Sequence, residues 1–230
     1  MNTLGSDRIS NLLDTLHRDA EISDREHVAD MMAALEAPGA SIDQLVAGLL
    51  ADERADYQAI YRARADNFLA VSPAYGRFLY AIARACKARR IVEFGTSMGI
   101  STLYLAAALR DNGGGQLIGS EMEPSKVARA RANLAAAGLA DLADIRAGDA
   151  LETLQDVGGT VDLLLLDGAF SLYLPVLRLL EPRLGPGAVI LGENAFEPGY
   201  QRYVGDPAHG YISLALPDEG RGNAFTVKLS

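Results

Sequence analysis

Cysteine is almost missing from this chain: Cys86 is the only one in 230 residues. That excludes an intramolecular disulfide framework and a four-cysteine zinc site, and it suits a reducing cytoplasm, where the protein is expected to work. No apolar run approaches the about 18–20 residues needed to span a bilayer, so no membrane partner is expected. The opening MNTLGSDRIS has no basic segment leading into an apolar stretch, and no export signal is read there. Excess positive charge is lacking too: 21 Lys and Arg stand against 30 Asp and Glu, a formal net charge of −9. Such a balance repels phosphates and argues against a nucleic-acid partner. Internal repeats are absent, and the alanine-rich stretches are ordinary helix composition. What the chain does have is core material. With 49% apolar and 22% charged residues it can fill one large α/β domain.

Two regimes follow one another along the chain. Up to about Lys87 helical periodicity dominates. Ile9, Leu12, Leu13 and Leu16 share one helix face. Pro38 and Gly39 interrupt any helix across Ala37–Ala40, and Ser41 with Gln44 resembles a capping box opening a helix through Leu45, Leu49 and Leu50. Pro73 starts a further helix with Phe78, Leu79 and Ile82, and Lys87, Arg89 and Arg90 read as a solvated helix end that suits the dipole. After Arg90 short apolar runs alternate with helices. Strands are expected at Ile91–Phe94, Leu117–Ser120, Ala143–Ala147, Val161–Leu166 and Ala188–Leu191, with helices at Ser101–Arg110, Pro124–Gly138, Leu151–Val157 and Leu172–Leu184. This alternation implies parallel strands with right-handed crossovers, hence a doubly wound sheet. Tyr211–Leu216 and Ala224–Leu229, joined by PDEGRGN, break it with a hairpin.

Chemistry gathers at the predicted strand ends. In Ile91-Val-Glu-Phe-Gly-Thr-Ser-Met-Gly-Ile-Ser101 a strand runs into a turn where Gly95 and Gly99 let backbone approach a ligand. Such a turn also serves folding alone. Glu121 ends the second strand, where a carboxylate can accept from both ribose hydroxyls, although it could equally lead the helix at Pro124. Asp149, in Gly-Asp-Ala150, ends the third and could accept from an adenine amino group while capping the next helix. Asp167 ends the fourth, on the edge where such sheets place ligands. The turn G-T-S-M-G lacks the G-x-G-x-x-G spacing that a dinucleotide pyrophosphate wants, which demotes a nicotinamide dehydrogenase. A sulfonium nucleoside carries no phosphate, so a pocket with Glu93 and Glu121 tolerates it.

The passages VSPAYGRFL, IVEFGTSMGISTLYLA, EMEPSKVARARANLAAAGL, GDALETL and VDLLLLDGAFSLYLPVLRLLEPRLGPGAVILGEN together resemble the class I S-adenosylmethionine-dependent methyltransferases. The likeness is to the metal-dependent small-molecule O-methyltransferases that include catechol and caffeoyl-CoA O-methyltransferases, and it runs from about Ala70 onward. It implies an α/β, Rossmann-like, doubly wound seven-stranded sheet with an antiparallel C-terminal hairpin, plus N-terminal helices. Residues 1–69 would then be a helical segment covering the acceptor site or forming a dimer interface, and 70–230 the cofactor-binding domain of a homodimer. By the same resemblance Val71, Gly95, Thr96, Gly99 and Ser101 would line the methionine end of the cofactor. Glu121 would hold the ribose, Asp149 and Ala150 the adenine side, and Glu93 would orient the turn or the amino group.

The resemblance also implies a magnesium site at Asp167, Glu193 and Asn194, with Glu193 standing where the family has Asp; oxygen ligands suit such a hard ion. Asp167 would be the catalytic residue. Three residues on, where the family carries a proton-accepting Lys, this chain has Phe170, which could instead pack against an aromatic acceptor. His209, Tyr173, Tyr200 and Arg202 remain as other bases. The leading expectation is an O-methyltransferase acting on a hydroxylated small molecule. A metal-independent methyltransferase and a non-catalytic cofactor-binding homologue are the alternatives.

Overall fold

The structure is a computed structural model and describes residues 2–39, 41–217 and 222–230. Its sheet comprises β1 (Arg90–Phe94), β2 (Gln116–Glu121), β3 (Ala143–Ala147), β4 (Val161–Leu166), β5 (Leu184–Gly192), β6 (Tyr211–Ala215) and β7 (Ala224–Lys228), in the order β3-β2-β1-β4-β5-β7-β6. The first five strands pair in parallel, and β7 runs antiparallel to both β5 and β6. Strand order reverses between β1 and β4, which opens a crevice at their carboxyl ends. The hairpin strands end slightly short of the expected limits. Residues 218–221 of the connecting loop lie outside the described residues, as does residue 40 in the Ala37–Ala40 break.

Helices cover both faces, which is why β4 reads as an unbroken apolar run after Asp162. They are α1 (Asp7–Ser23), α2 (Arg25–Glu36), α3 (Ile42–Ala63), α4 (Pro73–Ala85), α5 (Ile100–Asp111), α6 (Pro124–Ala137), α7 (Ala150–Thr153), α8 (Tyr173–Leu180) and α9 (Pro198–Gly205). Ile91, Leu163, Leu165 and Leu191 pack on one side with Ile9 and Leu16 of α1, Leu79 of α4 and Leu103 of α5. Val92, Leu164, Leu166 and Ile190 pack on the other with Val176 and Leu177 of α8 and Val204 of α9. Each fully buried aliphatic side chain contributes about 1.5–3 kcal/mol relative to exposure.

Several local expectations change. Ser41 makes no side-chain cap bond at the start of α3, so the capping box does not form. The helix expected at Leu151–Val157 stops at Thr153, because the Arg146 guanidinium takes the carbonyls of Thr153 and Asp156. The helix expected to reach Leu184 stops at Leu180. Pro182 allows only a 3₁₀ turn over Glu181–Arg183 before β5 begins. Lys87 and Arg89 are exposed as expected, but α4 ends at Ala85 before them, and Arg89 and Arg90 donate to the Gly114 and Val157 carbonyls and brace the loops beside β1. Among the described residues no helix is long and apolar enough to cross a membrane.

Candidate active site

Parallel strands deliver their carboxyl ends to one rim, and the turn after β1 shapes its centre. Gly95 and Gly99 have φ of +95° and +87°, a conformation that disfavours residues with a Cβ. Gly95 and Thr96 donate their backbone N–H groups to the Ser120 carbonyl, which ties the turn to β2. Glu93 anchors it from beneath. Its carboxylate is fully buried and accepts from the Thr96, Ser101 and Thr102 hydroxyls at 2.9, 2.7 and 2.6 Å.

Burial holds Glu93 above the usual carboxylate range, against the pull of the three hydroxyls. The folded state therefore binds this proton more tightly than the unfolded chain. The stability it contributes is complete below the unfolded carboxylate value and is lost as pH rises through the folded one. Glu93→Leu would strip three buried hydroxyls of their acceptor, and is expected to cost about 2–4 kcal/mol in urea denaturation and to remove this pH dependence.

Glu121 accepts from the backbone N–H of Ser97 and of Glu123, each at 2.8 Å, so each of its oxygens retains a free lone pair facing the rim. Asp149 caps α7 by accepting from Leu151 N at 2.9 Å, and its other oxygen accepts from the Tyr57 hydroxyl. The N-terminal segment reaches the same rim at a second point. Asp24 accepts from Phe68 N and Leu69 N at 2.7 and 2.8 Å, and the Phe68 carbonyl accepts from Ser97 Oγ at 2.6 Å.

These elements enclose two adjoining spaces. An open cleft of about 610 Å³ is lined by Gly95, Glu121, Asp149, Ala150 and Asp167, with Tyr57 and Tyr61 of α3 closing over it. A smaller recess of about 240 Å³ is lined by Val71, Gly95, Thr96, Ser101 and Asp167. Gly95 and Asp167 border both. The residues expected at the sugar and base thus fall in one space, and most of those expected at the methionine end fall in the other. Gly99 borders neither; a Cβ there would meet Ala130 at 3.1 Å, so this glycine serves the packing of α5 on α6. Glu93 borders neither and orients the turn.

Beyond Asp167 lies a second acidic group. Burial raises the Asp167 carboxyl well above its ordinary value, and the Glu193 carboxylate raises it further. The Asn194 amide donates to Glu193, while Asn194 N donates to Asn223 Oδ1 at 2.7 Å, holding Asn194 at a φ of +49°. Two carboxylates that repel at the edge of the cleft, with an amide beside them, form an all-oxygen donor set whose charge a hard divalent cation would balance. Among the described residues no three His, Cys, Asp or Glu side chains gather as a metal site, so any ion here relies on the amide. Phe170 lies off the cleft wall, edge-on to Tyr173 at 5.7 Å.

Comparison with known proteins places the chain in a family. Residues 92–195 match a family described as a methyltransferase domain. The catechol O-methyltransferase of Niastella koreensis is 33% identical over 135 residues, 57% of this chain and 60% of that protein. The chain thus spans less than two thirds of that relative's length. A crystal structure of cofactor-bound Rv0187 from MTB superposes with a TM-score of 0.65 at 27% identity, covering 87% of this chain and 95% of that one. The "Putative O-methyltransferase" of Mycobacteroides abscessus is 30% identical over 170 residues, 69% of this chain and 76% of the relative. The chain belongs to the class I S-adenosylmethionine-dependent O-methyltransferase family.

Within this methyltransferase fold some cleft residues carried no sequence signal. Lys126 lines the cleft nearly buried; burial pulls its ammonium pKa down, and Glu121 is the first of the carboxylates that oppose the shift. Its local pattern matches any surface lysine. Tyr57 and Tyr61 stand four residues apart after the break at Asp56 and share one helix face, a spacing too common to mark a site, and Glu53 lies on the other side of that break.

Proposed function

We propose that this protein methylates a hydroxyl of a small molecule, with S-adenosylmethionine as methyl donor. The observation that carries the reading is the pair of spaces meeting at Gly95 and Asp167: one offers acceptors for a sugar and a base, the other a narrow recess for an amino-acid tail. Glu121 accepts the ribose hydroxyls, Asp149 the adenine amino group, and Val71, Thr96 and Ser101 surround the methionine end. Placing donor and acceptor in line supplies much of the rate of such a displacement. The catechol O-methyltransferase relative supports a hydroxylated aromatic acceptor.

Asp167, Glu193 and Asn194 would hold magnesium, which when bound supplies positive charge that eases loss of the acceptor's proton. Replacing Asp167 with Asn is then expected to abolish magnesium binding and turnover while S-adenosylhomocysteine still binds, as read by calorimetry and by mass spectrometry of a methylated catechol. Full turnover in excess EDTA would instead favour the metal-independent reading, to which Glu193 and Phe170 point. A cytoplasmic homodimer completes the proposal. It is supported by Val28, Met31, Met32 and Leu35, which α2 exposes.

A further inference from the structure

A hydroxyl that attacks a methyl group must lose its proton, and Phe170 cannot take it. Two of the other side chains considered as bases are committed elsewhere. Tyr173 is fully buried and donates to the Glu193 carbonyl at 2.5 Å, and His209 stacks on Tyr203 at 3.9 Å, away from the cleft.

The roof of the cleft holds a better arrangement. Tyr61 of α3 lines the cleft with Asp167, and its hydroxyl donates to Glu53 Oε1 at 2.9 Å. Glu53 is itself fully buried, and its Oε2 accepts from Ser171 N at 2.7 Å, one residue past Phe170. Among the described residues no cation forms an ion pair with Glu53; the adjacent Arg54 pairs with Glu197 at 3.0 Å instead. Among the described residues Glu53 is thus met by this hydroxyl and this amide, and its Oε1 stands in line to receive the proton it already shares with Tyr61.

We propose that Tyr61 and Glu53 form a two-step proton relay that takes over the work of the absent lysine. The inference rests on the O-methyltransferase reading above. As the acceptor oxygen bonds to the methyl carbon and the carbon–sulfur bond breaks, the acceptor's proton passes to Tyr61 Oη. The proton already on Tyr61 moves to Glu53 Oε1. The products are the methyl ether, neutral S-adenosylhomocysteine and protonated Glu53, so charge is conserved. The relay runs backward to water once product leaves. Burial and the Glu53 and Asp167 carboxylates hold the Tyr61 phenol well above its ordinary pKa, with Arg64 opposing, so a free phenolate is not the resting form. Concerted handover avoids forming one. Tyr61 is thus the catalytic residue and Glu53 its positioning partner and proton sink.

The test compares wild type, Tyr61→Phe and Glu53→Gln on unsubstituted catechol and on 4-nitrocatechol, the latter ionised at the assay pH. Tyr61→Phe keeps the ring and its packing. It is expected to slow transfer to catechol about 100-fold, transfer to nitrocatechol less than about 3-fold, and to leave S-adenosylhomocysteine affinity within about 2-fold. Glu53→Gln should show the same selective loss. Equal slowing of both acceptors would mean the pair only docks α3, and unchanged rates would mean it does nothing; either result overturns the relay alone. A wild type that binds S-adenosylhomocysteine but methylates no phenol, or that binds none, overturns the O-methyltransferase reading and the relay with it.

Discussion

Gly95→Ala is expected to lower stability by about 3–5 kcal/mol and to abolish S-adenosylhomocysteine binding, because two independent costs fall on one methyl group. The first is backbone strain, since a φ of +95° disfavours any residue with a Cβ. The second is a collision: an added Cβ would lie 2.1 Å from the Asp167 carbonyl oxygen and 2.7 Å from Gly168 N. Neither neighbour is a flexible side-chain tip. Asp167 N donates to the Phe94 carbonyl at 2.9 Å, so relief requires β1 and β4 to part at the rim where both spaces meet. Denaturation with urea would show the lower midpoint, and calorimetry the lost binding. Gly99→Ala is the control. Its φ of +87° carries comparable strain, but its Cβ would meet only Ala130 at 3.1 Å, so it should unfold earlier than wild type yet keep more of its affinity.

That Gly95, Glu121, Asp149 and Asp167 could be found in the sequence has a physical cause. A parallel sheet sends each strand's carboxyl end to the same rim, so residues just after apolar runs become neighbours whatever their separation along the chain. Finding the runs therefore found the rim on which the candidate site is proposed. The roof over the cleft had no such rule. Tyr57 meets Asp149 across 92 residues and Glu53 meets Ser171 across 118, contacts fixed by how α3 docks rather than by any local pattern. A non-helical residue within α3 made it less legible still: Asp56 has φ −163° and ψ +77°, one residue before Tyr57. α2 escaped notice for the opposite reason. It buries none of its residues, so no core-facing stripe marks it. The arginines after α4 show only their charge in the sequence. Their bonds to the carbonyls of Gly114 and Val157 depend on loops that pass beside them only in the folded chain.

Glu121→Ala should weaken S-adenosylhomocysteine binding about 10²–10³-fold while leaving the fold nearly intact, since two hydrogen bonds to a charged acceptor are lost together. A carboxylate offers about four acceptor sites; the Ser97 and Glu123 amides use one on each oxygen, leaving one on each for a pair of adjacent ribose hydroxyls. Those two amides are only partly buried and can turn to water in the variant, so unfolding should shift little. On the proposed reading the carboxylate binds the diol, so the two losses must not add. Removing both ribose hydroxyls from the ligand should cost wild type nearly what the mutation costs, and should cost the variant almost nothing. Calorimetry over the four combinations gives the coupling directly. Independent losses would place the sugar away from Glu121, and the nucleoside would then have to lie in the cleft the other way round.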